Sequence, residues 1–307
     1  MKTRRYLALD FGAESGRAIV GTFDGKKMEL EVLHRFPNGP VRLLDTLYWD
    51  QVGLFREIKN GLSAYAGRYG SQIDGLGTDS WGVDFGLLDR NGQLLGNPVH
   101  YRDARTNGMP EAVFKIVPRR EVYERTGIQV MQLNTLYQLY SLTRTNPEIL
   151  ERAAGMLCMA DLQNYFLSGE KVQEYTLATT TQMYDSVNQE WAGSLLAALK
   201  IPTGMLPDVV APGSVVGTLL ESVAQECGVK QAPVIAPACH DTAAAVAAVP
   251  AAGDDWLYLS SGTWSLLGAE VPSPIINDKA FDANFTNEGG VDGTIRFLKN
   301  VMGLWVL

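Results

Sequence analysis

The sequence predicts an α/β protein of two lobes that opens in the order β-β-β-α-β. Three observations carry this. Residues 6–78 alternate apolar strands, a hairpin turn and one long amphipathic stretch. An apolar strand entering a glycine-rich turn occurs twice, at Leu7-Ala8-Leu9-Asp10-Phe11-Gly12-Ala13-Glu14-Ser15-Gly16-Arg17 and at Leu257-Tyr258-Leu259-Ser260-Ser261-Gly262-Thr263. The length of 307 residues exceeds one small core, at a soft prior of roughly 150 residues per domain.

Tyr6 to Asp10, Arg17 to Phe23 and Met28 to His34 read as an antiparallel meander, the last two strands joined at Asp24-Gly25, a pair with strong hairpin chemistry. From Trp49 to Tyr69, Val52, Leu54, Phe55, Ile58 and Leu62 recur at helical spacing. Ile73 to Thr78 returns to strand character, and Gly82 to Leu88 continues as strand up to a hairpin at Asn91-Gly92. Helices are predicted at Pro110 to Phe114, Thr135 to Thr145, Pro147 to Ala153 and Asp161 to Leu167, the last closed by Ser168-Gly169.

Ala232 to Ala238 is short and wholly apolar, which predicts a strand buried on both faces. Thr242 to Val249 is mostly alanine and forms a helix able to pack very close to a sheet. Pro250 to Asp255 consists of turn residues and marks a crossover, dividing the chain into domains 1–249 and 250–307. The second domain opens with strands at Trp256 to Ser260 and Trp264 to Glu270, which need further elements to cover them. With an apolar tail from Gly303 to Leu307, it is expected to be cut short or to be covered by another chain.

Acidic residues outnumber basic ones, 34 against 26, so no basic field exists to draw in nucleic acid or an anionic membrane. An anion would have to be held by local backbone donors. The basic start, Met1 to Arg5, is followed by an apolar run that Asp10 stops before a signal-peptide core forms. No run of about 18 apolar residues occurs. Cys158, Cys227 and Cys239 are odd in number and lack metal-ligand spacing, which fits a cytoplasmic enzyme. Cys239 beside His240 suggests a nucleophile pair, but adjacent strand residues face opposite ways, and a small buried thiol is the simpler role.

The duplicated turns are shaped for phosphate. Gly12, Gly16 and Gly262 permit tight turning that brings consecutive N–H groups near an anion, while Ser15, Ser261 and Thr263 add hydroxyl donors. Together they suggest a nucleotide clamped between two lobes. Between them His240-Asp241-Thr242 follows an apolar strand and opens the alanine-rich helix.

Six stretches in order carry a resemblance to the FGGY-type carbohydrate kinases. They are Asp10 to Arg17, Thr78-Asp79-Ser80-Trp81-Gly82-Val83-Asp84-Phe85, Tyr101-Arg102-Asp103-Ala104-Arg105-Thr106, Gln132 to Leu139, His240-Asp241-Thr242-Ala243 and Ser260 to Ser265. The resemblance covers essentially the whole chain. It implies a ribonuclease-H-like lobe of the actin and hexokinase type, with a β-β-β-α-β-α-β-α core, and a second lobe of the same type. It further implies transfer of the ATP γ-phosphate, with Mg²⁺, to the C1 hydroxyl of a ketose, L-rhamnulose. The helix carrying Asn134-Thr135-Leu136-Tyr137-Gln138 lacks the lysine and tryptophan common in the wider family, which favours that substrate over xylulose or glycerol.

On this resemblance Asp241 is the candidate base, kept ionised by the free N–H groups of a helix start. A capping aspartate is the structural alternative. His240, Asp241 and Thr242 are expected to contact the sugar, with Trp81 stacking on its carbon face, Gly82 admitting the backbone, Asp84 beside them, and Asn300 matching a family site residue. Tyr101, Arg102 and Asp103 are weaker candidates, because an Arg-Asp pair is as often a structural salt bridge. Asp10 would orient Mg²⁺ through water, since magnesium takes few protein carboxylates. Gly12, Ala13, Glu14, Ser15, Gly16 and Arg17 in the first turn and Gly262 and Thr263 in the second would hold ATP, Arg17 pairing with phosphate oxygens. The expected partners are the ketose and ATP, without nucleic acid or membrane, in a monomer or homodimer. The alternatives are a kinase for another ketose or deoxysugar, such as L-fuculose or L-xylulose, and a truncated sugar-binding kinase remnant without catalysis.

Overall fold

The alternation Leu7, Leu9, Phe11 puts three large side chains on one face of the first strand, and all three are buried. The computed structural model describes residues 3–253, 255–262 and 264–303. Strand β1 (Arg4–Phe11) runs antiparallel to β2 (Ser15–Phe23), and β2 to β3 (Met28–Pro37), which is the expected meander. Helix α1 (Gln51–Tyr69) starts where the Asp50 carboxylate accepts from Gly53 N, and it buries Leu54, Ile58, Leu62 and Tyr65 against these strands. The chain re-enters the sheet as β4 (Gly75–Ser80), parallel to β1.

Beyond β4 the predicted Gly82 to Leu88 strand is corrected. Only β5 (Phe85–Leu88) is regular; before it residues 82–84 form a turn in which Val83 lies at φ 69°. This turn folds the Asp84 carboxylate inward onto buried donors, a requirement that overrides the strand character of its neighbours. A helical layer follows, with α2 (Thr135–Thr145) as predicted. Strand β6 (Gly155–Cys158) pairs with β5 and leads into α3 (Met159–Ser168), which ends at a left-handed Gly169. After α4 (Tyr175–Thr180) come β7 (Ser214–Thr218), α5 (Glu221–Cys227) and β8 (Pro233–Ala236). The expectation of a strand buried on both faces is also corrected here. Val234 and Ala236 are buried, but Ile235 on the other face is only half-buried and Pro233 is exposed.

The first sheet has the order β7-β8-β4-β1-β2-β3, with α1 and α3 packed against it. Helix α6 (Asp241–Ala247) follows β8. Residues 250–253 and 255–257 have no regular structure; Asp254, part of the predicted crossover, lies outside the described residues. A second, antiparallel sheet has the order β9-β10-β12-β11, formed by β9 (Tyr258–Ser261), β10 (Trp264–Val271), β11 (Thr286–Gly289) and β12 (Ile295–Met302). Tyr258, Leu266 and Leu298 of this sheet bury against Val246 of α6. Among the described residues no helix is long and apolar enough to cross a membrane.

Candidate active site

Parallel pairing of β1 with β4 sets Asp10 directly beside Asp79. A parallel bridge from Ser80 to His240, with Ser80 N donating to Cys239 O at 2.8 Å, carries the same edge on to Asp241. Three carboxylates therefore gather where adjacent strands end. Burial pushes the Asp79 carboxyl well above the usual carboxylate range, and the negative charges of Asp10 and Asp241 add to it. Asp79 stands inside a motif singled out in the sequence, but its function was not read there. Its strand register was the available signal. Arg17, opposite Asp10 in the hairpin, closes a tight ion pair with it.

Asp241 is the first residue of α6. Its Oδ1 accepts from Thr242 N at 2.6 Å and from Thr242 Oγ1 at 3.1 Å. These bonds favour the ionised form, as expected, but desolvation outweighs them and pushes the carboxyl up to about 6, although the side chain keeps 38% of its exposure at the cleft. The expected lowering by helix-start N–H groups is thus reversed. The segment leading to it is fixed by Cys239 N on Glu174 Oε2 (3.1 Å) and His240 N on Thr176 Oγ1 (3.0 Å). His240 is buried, and desolvation together with the nearby Arg296 charge holds its pKa well below the usual value. The Cys239 thiol is buried and pushed up by burial, so it is no nucleophile.

Trp81, Gly82, Val83, Tyr101, Ile128, Met131 and Leu133 form a largely apolar wall of the same cleft. A Cβ on Gly82 would meet Thr180 side-chain atoms at 3.0–3.2 Å, so glycine keeps the backbone close to α4. Asp84 lies behind this wall instead of on it. It is fully buried and accepts from Trp49 Nε1 (2.6 Å), Trp81 Nε1 (3.1 Å), Tyr101 N (3.2 Å) and Gln138 Nε2 (3.0 Å). The expected sugar contact at Asp84 becomes a support for Trp81, because all its acceptor capacity is turned inward.

In both turns a glycine N–H is bonded within the turn. Gly12 N donates to Ser15 O at 2.9 Å, and Gly262 N to Trp264 O at 2.8 Å, so these N–H groups close their own turns instead of facing an anion. Gly16 sits within β2, where a Cβ would fall 2.1 Å from the Phe36 ring; packing, not phosphate geometry, requires glycine there. Asn38 braces the first turn, its N donating to Glu14 O and its Nδ2 to Gly12 O. Thr263 lies outside the described residues. Asn300 on β12 reaches the cleft, held by Gln129, whose Oε1 accepts from Asn300 N at 2.9 Å.

The resulting cleft, about 860 Å³, lies between the two sheets. Asp10, Gly12, Ala13, Glu14, Ser15, Arg17, Trp81, Gly82, His240, Asp241, Thr242, Gly262 and Asn300 all line it; Gly16 and Asp84 do not. Sequence reasoning missed Asp79, Gln129, Glu288 and the buried Arg296. An arginine within the apolar run Ile295 to Leu298 was the visible signal for the last.

The description "FGGY family of carbohydrate kinases, N-terminal domain" matches residues 5–248, most of the sequence. The chain belongs to this family of carbohydrate kinases. The FGGY chain is 46% identical over 304 residues to a rhamnulokinase of Bacteroides thetaiotaomicron, covering 99% of this chain and 62% of that protein. It is 44% identical over 309 residues to a rhamnulokinase of Pectobacterium atrosepticum, covering 100% of this chain and 61% of the relative. It therefore spans about three fifths of the length of these relatives. In fold it resembles the ligand-bound xylulose kinase of Lactobacillus acidophilus, with a TM-score of 0.86 at 17% identity, covering 97% of this chain and 60% of that one. This confirms the expected sugar-kinase fold for the described part of the FGGY chain.

Proposed function

We propose that the protein phosphorylates L-rhamnulose at its C1 hydroxyl with ATP, giving L-rhamnulose 1-phosphate. One observation carries the chemistry: Asp241 lines the same cleft as the apolar wall and the carboxylates of Asp10 and Asp79, and desolvation there raises its carboxyl to about 6. A base poised near neutral pH accepts the C1 hydroxyl proton as that oxygen becomes the nucleophile. The choice of sugar is supported by the rhamnulokinase relatives at 43–46% identity. Ile128, Met131 and Leu133 also suit the methyl end of a 6-deoxyketose, which L-xylulose lacks.

The donor set fits a phosphate donor that arrives with a divalent cation. Asp10, Asp79 and Asp241 bring three carboxyl groups into the cleft beside Arg17, whose charge Asp10 already pairs. A magnesium ion takes few protein carboxylates and keeps several waters. MgATP, when bound, supplies the phosphoryl group and the charge that offsets these carboxylates. Asp10 would orient the hydrated ion, while Ala13, Glu14, Ser15, Arg17 and the Gly262 turn would contact the nucleotide. Trp81, Gly82, His240, Thr242 and Asn300 would hold the sugar. We take residues 1–249 as the sugar- and phosphate-binding domain, a division supported by the family match at 5–248, and 250–307 as the beginning of the second. A cytoplasmic setting is supported by three buried cysteines, none in a disulfide.

The test is ADP release by the 307-residue chain with MgATP, with and without L-rhamnulose, alongside Asp241→Asn. Sugar-dependent turnover is expected, falling about 10²–10⁴-fold in the variant while sugar binding remains. Full turnover in the variant removes Asp241 as base. Sugar binding without turnover in the parent chain would instead make it a sugar-binding protein.

A further inference from the structure

Behind His240 lies a charged pair that this chemistry leaves unused. Arg296 on β12 is fully buried, and Glu288 on β11 nearly so, directly opposite it in the antiparallel register. Arg296 Nη2 reaches two acceptors, Glu288 Oε2 at 3.1 Å and His240 Nδ1 at 3.0 Å, while Nε donates to Gly289 O at 2.9 Å and fixes the fork. A guanidinium has only donors, so His240 Nδ1 must accept through its lone pair. The one ring proton of a neutral His240 is then on Nε2, which lies 3.4 Å from Asp241 Oδ1.

Oδ1 thus accepts from the Thr242 N–H and the Thr242 hydroxyl, with His240 Nε2 in polar contact 3.4 Å away. Oδ2 is given no hydrogen bond from the described residues. Burying an ion pair is costly, and an apolar pair of similar volume would serve packing as well. The geometry therefore points to a task beyond stability.

We propose that Arg296, backed by Glu288, is a positioning residue that fixes His240 as its Nε2–H tautomer and so turns Asp241 to present Oδ2 to the cleft. This rests on Asp241 being the base of the proposed kinase. It also makes the base depend on the second sheet, because Glu288 and Arg296 belong to that sheet while His240 and Asp241 follow the first.

Long-range ¹⁵N–¹H spectra of the 307-residue chain test it directly, since the chain has only three histidines, His34, His100 and His240. His240 is expected to show a protonated Nε2 and an unprotonated Nδ1. In Arg296→Met/Glu288→Gln, which removes both charges together, the ring should become a mixture of tautomers. Sugar-dependent kcat should fall about 10–100-fold with KM little changed, and Arg296→Lys should restore part of it. A proton on Nδ1 in the parent chain overturns the proposal. So does an unchanged tautomer in the double variant, or a lost tautomer with kcat intact. If the double variant fails to fold, Arg296→Lys alone carries the test, with a smaller tautomer shift and kcat loss expected; neither appearing overturns it. A parent chain with the expected tautomer but no turnover counts against the kinase function, not against the tautomer assignment.

Discussion

Asp84 and Asp241 are both carboxylates that burial raises to about 6, yet they serve the cleft in different ways. Asp84 gathers four donors behind the wall, and Asn in its place would oppose an amide NH₂ to some of them. Asp84→Asn should therefore cost on the order of 3 kcal/mol, read as a lower melting temperature. Asp241 behaves otherwise. A carboxyl whose folded pKa lies above its ordinary 3.8 contributes stability in full below about pH 4 and loses it as pH rises through about 6. Asp241→Asn removes that loss, so the variant should melt above the parent at pH 7.5, and the two curves should converge toward pH 4. A variant that melts lower at pH 7.5 would show that the Asp241 charge stabilises the fold.

At the scale of elements, the hairpin of β1 and β2 depends on a missing side chain. The Phe36 ring of β3 occupies the space where a Cβ on Gly16 would stand. Gly16→Ala should destabilise the protein by about 1–3 kcal/mol through overpacking, and Phe36→Leu in the same chain should recover part of it, both measurable by urea unfolding. The meander, α1 and α2 were legible because their signals are local: Asp24-Gly25 for the hairpin and apolar residues at helical spacing for α1. Residues 82–84 were misread because the partners of Asp84, at Trp49 and Gln138, are distant in sequence. Strands β11 and β12 were not foreseen at all. The value of Glu288 and Arg296 exists only once their sheet has met His240. Most of the candidate site residues were legible from motifs, whereas their hydrogen bonding was not: the turn glycines satisfy themselves, and Asp84 faces inward.

For the molecule as a whole, the second sheet is tethered well beyond the 250–255 segment. Asn287 N donates to Gly127 O at 3.0 Å, Val130 N to Asn284 Oδ1 at 3.0 Å, Gly289 N to Thr179 Oγ1 at 2.8 Å, and Arg120 pairs with Asp278 at 2.6 Å. Hydrogen exchange should find the amides of Asn287 and Gly289 among the slowest in the second sheet and residues 250–253 among the fastest; equal rates would argue against the tether. The support beneath Trp81 has a further, optical consequence. Its indole lies 4.1 Å from that of Trp49, shares the Asp84 carboxylate with it, and forms part of the cleft wall. A ring so placed has its excited state tuned by a fixed charge on one side and by whatever fills the cleft on the other. Its emission therefore reports cleft occupancy even without nucleotide, so the protein carries its own fluorophore for weighing one ketose against another.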